Sequence, residues 1–408
     1  MIANRAIPAL TLSLLSCLAA CSSTSGDQEI DERTGTTKSA IIDGKSSDSS
    51  QDAVVLLVHY DPSNNGFGQC TGTLLAPRLV LTARHCVGDT DLYAACKADG
   101  TPIAAGAIRK NHKANTMYVF TGKDRPDFGR GEVKPAGRGK KIIDDGGKNL
   151  CNHDIALILL EEPVTDAPIA PIRLDADVEV GELITAIGWG VTEDTPSPKQ
   201  RQQRKNIEIT NVGPDKAGAG VPPNEFQVGE SICSGDSGGP AIAQETSAVV
   251  GVVSRGGNAQ GGDSNDPAAN CIDGKNLYTK ISPFKDLILE AYALAEAEPW
   301  IEGGPDPRKL KPKAACETGE ECRSGLCLPD PDAGDALTCA EDCSTTETCS
   351  VEGEVCTAEG EAKVCRAPKK APAESAGMCS STPGRSGFGG ASLVLGLLAL
   401  ASLRRKRS

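Results

Sequence analysis

From Ile41 to Glu298 the chain is built from short apolar runs, and this pattern limits its fold more than any other feature. Ala53-Val54-Val55-Leu56-Leu57-Val58 is one run, and Ile155-Ala156-Leu157-Ile158-Leu159-Leu160, headed by Asp154, is another. Gly, Pro, Asn and Asp separate them. Many short strands with turn signals between them specify an all-β barrel or sandwich. One helix is expected at the end of this region. Ser282-Pro283 supplies a cap and a first-turn proline, and Phe284 to Ala297 follows with apolar residues at Leu287, Ile288, Ala291, Tyr292 and Ala295.

A chain of 408 residues exceeds the usual single domain, so one sizeable globular body with smaller attachments is expected. Its 17 cysteines, beside only 3 Met and 3% aromatic residues, point to an oxidising compartment where disulfides supply stability. An excess of 55 acidic over 42 basic residues excludes nucleic acid as a partner, because phosphate binding needs a concentrated basic face.

Residues 1–20 read as an export signal, with Arg5 ahead of an apolar run from Ile7 to Leu18. Leu18-Ala19-Ala20-Cys21 also fits a bacterial lipobox, which would lipidate Cys21; an ordinary cut after Ala20 fits the same small residues. Residues 21–40 are polar and too poor in apolar side chains to fold alone, as in a linker or propeptide. After the body at 41–298, residues 299–315 read as a Pro- and Gly-rich linker. Residues 316–366 carry eight cysteines on little apolar core and no His, which favours a disulfide-stapled module over a zinc site. A second linker, 367–390, contains Cys379, and 391–408 is an apolar segment ending in Arg404, Arg405, Lys406 and Arg407. The apolar run is shorter than the ~20 residues of a normal spanning helix, so it reads as a sorting tail or a plain membrane anchor.

Three segments carry chemistry. Acyl transfer by serine needs a nucleophilic hydroxyl, a base for its proton and a group that fixes the base. Thr82-Ala83-Arg84-His85-Cys86 offers an imidazole beside a cysteine. Asn152-His153-Asp154-Ile155 places a carboxylate at the head of a buried strand. Gly235-Asp236-Ser237-Gly238-Gly239-Pro240 sets a serine among glycines, which allows a tight turn with N–H groups facing inward. His153 adjoins Asp154 but should point away from it along a strand, and His59 and His112 read as ordinary surface or strand residues.

On these motifs, with Gly188-Trp189-Gly190, Cys233-Ser234 and Tyr278-Thr279-Lys280-Ile281, residues 41–298 resemble the trypsin/chymotrypsin family of serine proteases, in the family's His, Asp, Ser order. The resemblance implies two six-stranded antiparallel β-barrels with a C-terminal helix, to which the cysteine count adds the small disulfide-rich module beyond it. It implies Ser237 as nucleophile, His85 as base and Asp154 as its orienter. Gly235 and Ser237 would form the oxyanion hole, protein or peptide would be the substrate, and neither cofactor nor metal is needed. It also implies disulfides Cys70–Cys86 and Cys233–Cys271. Cys96 and Cys151 remain, and joining them would tie a first-barrel loop to the strand of Asp154. Ile41-Ile42-Asp43-Gly44 looks like the family's start after zymogen cleavage, with Asp236 as the partner of the new amino group. Ala40 precedes that cut where the family has Arg or Lys, so a separate activating protease is expected.

Ser231 stands where trypsin-like enzymes carry an acid, so a neutral P1 residue is expected in a pocket with Ser254, Gly256 and Asn276. Asn276 in place of a glycine would make that pocket shallow. Arg255 in place of the common Trp would attract acidic neighbours, and Arg84 would bring a cation near the triad. The tail after Cys379 resembles sorting tails of myxobacterial surface proteins. Membrane attachment through terminal signals would then follow, at the surface or outer membrane of a Gram-negative bacterium, with secretion as the other outcome. The rival reading is a non-enzymatic surface protein on a protease-like scaffold, against which the intact His85, Asp154 and Ser237 count.

Overall fold

The computed structural model describes residues 41, 44–91, 93–129, 133–191, 197–215, 220–258 and 268–368; the expected export signal, Cys21, the 21–40 linker, Cys379 and the apolar tail lie outside them. The strands β1 (Val54–Asp61), β2 (Gly66–Ala76), β3 (Leu79–Thr82), β4 (Met117–Phe120), β5 (Gly137–Ile143) and β6 (Ala156–Leu160) close into one antiparallel barrel. Its cyclic order is β1-β2-β3-β6-β5-β4. A second set, β7 (Leu183–Gly188), β8 (Gln202–Val212), β9 (Glu225–Val228), β10 (Pro240–Ala243), β11 (Val249–Gly257) and β12 (Lys275–Lys280), closes as β7-β8-β9-β12-β11-β10. The two barrels thus repeat one topology. A two-residue strand, Lys45–Ser46, adds to the edge of β8 opposite Gln202 and Gln203.

Strand composition follows burial. All five residues of β6 are buried, because one face lines its barrel and the other is covered by the second barrel and the C-terminal helix. That helix, α1 (Lys285–Leu294), presents Ile288, Ala291 and Tyr292 to a core shared with Leu157, Val249 and Val252. It is shorter at both ends than the sequence spacing suggests. Ser282–Phe284 form a tighter 3₁₀ turn, and the backbone reverses at Glu296, whose φ of 55° no helix continues.

The compact unit containing both barrels extends to Lys311. The expected 299–315 linker is therefore docked over its first part: Trp300 O accepts the Ile172 N–H at 2.8 Å, and Glu302 takes both Arg173 Nε and Nη2 at 2.6 and 2.8 Å. The second unit, from Pro312 apart from Glu321–Arg323, contains two hairpins, Cys327–Asp330 with Ala336–Cys339 and Val355–Glu359 with Ala362–Arg366. Disulfides join Cys316–Cys327, Cys343–Cys356 and Cys349–Cys365, and Cys322 and Cys339 are disulfide-bonded as well. Among the described residues no helix is long and apolar enough to cross a membrane.

In the barrels the bonded pairs are Cys70–Cys86, Cys96–Cys151 and Cys233–Cys271. Cys96–Cys151 closes the longest loop of the three, with a separation of 55 residues. Replacing both cysteines by serine should lower the unfolding free energy by about 4 kcal/mol through restored denatured-state freedom. Denaturant titration of the variant checks this, and an unchanged midpoint would contradict it.

Candidate active site

The chain returns to one place between the barrels from four directions. His85 sits in a 3₁₀ turn, Arg84–Cys86, immediately after β3; Asp154 directly precedes β6; Ser237 lies in the turn before β10; Ser254 stands on β11. His85, Asp154 and Ser237 lie in turns at strand ends, where rigid ladders set their positions and the turns let the side chains converge, and Ser254 is fixed within its strand.

Asp154 is buried, 1% exposed, and its carboxylate is saturated with donors. The His85 backbone N–H donates to Oδ1 at 3.0 Å, His85 Nδ1 lies 2.8 Å from Oδ2, and Ser254 Oγ–H donates to Oδ2 at 2.6 Å. Thr279 Oγ1 on β12 fixes the Asp154 carbonyl at 3.0 Å. Burial alone would raise this carboxyl's pKa; the His85 charge and these hydrogen bonds outweigh it, and the net direction is downward. For His85, burial pulls the imidazole down, Asp154 raises it more strongly through charge and hydrogen bonding, and Arg255 opposes, leaving a net upward shift from 6.5. With Nδ1 committed to Asp154, Nε2 is left for the cleft.

His85, Asp154 and Ser237 line one cleft of about 560 Å³ together with Gly235, Ser254, Arg255, Gly256 and Asn276. The serine turn is buttressed from the first barrel. Thr71 N–H donates to Ser237 O at 2.8 Å and Thr71 Oγ1 to Gly235 O at 3.0 Å, while the same oxygen accepts the Trp189 N–H at 3.2 Å. Gly235 has φ +100°, and a Cβ there would meet Gly190 Cα at 2.9 Å, so both conformation and space require glycine.

Asp236 is fully buried behind this turn, where its carboxylate accepts from Gly190 N–H at 2.8 Å and Cys233 N–H at 2.9 Å. A Cβ on Gly188 would fall 2.1 Å from its Oδ1 and one on Gly190 2.5 Å from its Cγ, which explains the Gly-Trp-Gly motif as a cradle for the carboxylate. Burial drives its pKa to about 7 against the pull of these N–H groups and of Arg125. Ile41 is fully buried in the second barrel's core with Val178, Ile184 and Ile232.

Of the residues expected to form a specificity pocket, Ser254, Gly256 and Asn276 line the cleft and Ser231 does not. Ser231 is fully buried beneath Asn276, whose Nδ2 donates to Ser231 Oγ at 3.2 Å and to Gly229 O at 3.0 Å. Asn276 Oδ1 lies against the opposite wall, where a Cβ on Gly256 would meet it at 1.9 Å. The amide therefore spans the inner end of the pocket and forms its floor. Among the described residues the carboxylates on the cleft wall are Asp154, engaged by His85, and Asp91, which accepts from Arg109 and from the Ala107 N–H at 2.9 Å.

Two cations do not act as their positions alone suggest. Arg84 turns away from the triad into a buried site, with Nε 3.6 Å from Asp144. Arg255, expected to attract acidic substrate groups, is held by Glu225 on β9 through two parallel contacts of 2.9 and 2.6 Å. His153 pairs with Asp145 at 2.5 Å, and His59 stacks on His112 at 3.7 Å between ring centres, so none of these imidazoles bonds Asp154 in the way His85 does. Thr71, Arg125 and Glu225 are site residues that sequence reasoning missed. For Glu225 a signal exists: it and Arg255 are the single charged residues of their strands, opposite in sign, and buried charges of that kind pair.

If the neutral imidazole is the working form, kcat/KM should fall as pH drops through a midpoint above 6.5, because Asp154 stabilises the inactive, protonated His85. A pH–rate profile measures this midpoint, and an acid limb well below 6.5 would contradict the assignment.

A family model described as Trypsin matches residues 41–288. Beta-fibrinogenase mucrofibrase-5 of Protobothrops mucrosquamatus is 30% identical over 264 residues, covering 61% of this chain and 85% of that protein. A trypsin of Saccharopolyspora erythraea is 24% identical over 230 residues, with 54% and 86% covered. Phenoloxidase-activating factor 1 of Holotrichia diomphalia is 28% identical over 278 residues, with 62% and 66% covered.

Proposed function

The chain belongs to the trypsin family and is a chymotrypsin-like serine endopeptidase, and from that premise we propose that Ser237, His85 and Asp154 are its triad. One observation carries the assignment: the Ser254–Asp154–His85 hydrogen-bond chain opens onto the same cleft as Ser237. In this reading Ser237 Oγ attacks the scissile carbonyl carbon as His85 Nε2 takes its proton. The carbonyl oxygen becomes an oxyanion held by the Gly235 and Ser237 N–H groups, each contributing on the order of 3 kcal/mol. His85 then protonates the departing amine, and water, activated by the same imidazole, releases the acyl group.

The pocket floor supplied by Asn276 leaves room for a small, neutral P1 side chain, and among the described residues no carboxylate stands at that floor to compensate a cation. Latency rests on Asp236. A carboxyl titrating near pH 7 in a glycine cradle is poorly stabilised, and a free α-ammonium on Ile41 would hold it ionised and lock the serine turn. Ala40, the residue before the cut, is itself small and neutral, so the activating protease expected from the sequence must accept such a residue, a requirement that an already active copy of this chain also meets and a tryptic enzyme does not. The disulfides and family relationship support an exported protein, and the terminal signals support attachment at the cell surface.

A peptide library tests this reading. The form beginning at Ile41 should cleave after Ala and similar small residues and lose at least three orders of magnitude in kcat with Ser237→Ala. That form should also cut the inert Ser237→Ala full chain between Ala40 and Ile41. Dominant cleavage after Arg or Lys, or an active form starting well before Ile41, would overturn it.

A further inference from the structure

Glu225 is fully buried on β9, with both carboxylate oxygens occupied. Oε2 accepts Arg255 Nη2 at 2.6 Å, and Oε1 accepts Arg255 Nη1 at 2.9 Å and the Asn152 N–H at 3.0 Å. Arg255 reaches further: its Nη1 donates to Ser254 Oγ at 3.2 Å, and the Ser254 hydroxyl donates in turn to Asp154 Oδ2 at 2.6 Å. Its Nη2 also lies 3.2 Å from Cys96 Sγ of the Cys96–Cys151 bond. Glu225 therefore grips the approach to Asp154 on two sides. It fixes the β11 strand carrying Ser254, and it fixes Asn152, two residues ahead of Asp154 and itself at φ +68°. Asn152 Oδ1 in turn accepts the Asn224 N–H at 2.9 Å.

We propose that Glu225 and Arg255 act as positioning residues for the Asp154–His85 couple, a neutralised ion pair that orients Ser254 and sets the electrostatic field in which His85 takes up its proton. A cation lining the cleft beside the imidazole would, unopposed, disfavour protonation of His85, and a bidentate carboxylate cancels most of that field at short range. A lone Glu225 would act in the opposite sense. Among the described residues the other charged groups around His85 are themselves paired: Asp154 with the imidazole, Asp91 with Arg109, Arg84 with Asp144, and His153 with Asp145. Tyr93 on the cleft wall adds a phenol, and the adjoining Cys70–Cys86 bond does not titrate.

The proposal rests on His85 being the base, and the experiment separates the two claims. In the Ile41-started form, pH profiles of kcat/KM are compared for wild type, Glu225→Gln, Arg255→Gln and the double variant. Glu225→Gln should lower the acid-limb midpoint and Arg255→Gln should raise it, each by roughly half to one pH unit, while the double variant returns near the wild-type midpoint. Loss of activity by a common factor with an unmoved midpoint in all three would overturn the proposal and reduce the pair to a structural brace. Should a single variant fail to fold, Arg255→Lys decides. It keeps the charge without the fork, so it should retain the wild-type midpoint at reduced kcat with little change in KM; a midpoint displaced as far as in Arg255→Gln would overturn the field argument. A wild-type profile with no acid limb would remove the underlying assignment of His85.

Discussion

A single buried carboxylate, Asp154, sets the terms for the seam between the two barrels. Burying an ionised group unpaired is prohibitive, so its oxygens must be met by donors, and those donors come from both sides. His85 arrives from the first barrel with its backbone and its ring, and Ser254 from the second with its hydroxyl, while Thr279 fixes the backbone behind. The requirement to satisfy one charge thereby fixes the angle of the imidazole and holds β6 against β11 and β12. The all-apolar β6, the docked α1 helix and the continuous core beneath them provide the dry setting in which that charge acts strongly.

A second buried carboxylate shows how environment separates two chemically identical groups. Asp154 is held low by a histidine and a hydroxyl, whereas Asp236, in a cradle of glycines and two backbone N–H groups, is pushed to about 7. One is fully compensated in the folded chain. The other is under-compensated and suited to receive an ammonium group. Three glycines, at positions 188, 190 and 235, exist to make room for this arrangement, since a single methyl at any of them would collide with the Asp236 carboxyl or with backbone.

Much of this was legible in the sequence because the informative residues lie in local motifs. His85 beside Cys86, Asp154 at the head of an apolar run, and Ser237 among glycines could each be read within a few residues. Short apolar runs between turn residues pointed to the all-β class, and the family resemblance implied the two barrels. What escaped reading was non-local. Glu225 acquires its role only by meeting residues 30 and 73 positions away, and Thr71 only by meeting a turn more than 160 residues later. Asn276 reads as a narrowed pocket in sequence, but its function as a lid over Ser231 depends on the pairing of its amide with Gly229. The helix ended early because backbone conformation at Glu296, rather than side-chain spacing, stops it. Residues 299–311 looked like a tether by composition, yet Arg173 and Ile172 give them partners.

The central claim is that Asp154, through His85, makes Ser237 nucleophilic. Covalent labelling with a fluorophosphonate, followed by mass mapping of the adduct, tests it most directly. The account predicts one adduct, on Ser237, formed in the Ile41-started chain and slowed by orders of magnitude in Asp154→Asn, where the imidazole loses the partner that fixes its tautomer. An adduct on another residue, or labelling of Ser237 at an equal rate in Asp154→Asn, would contradict it.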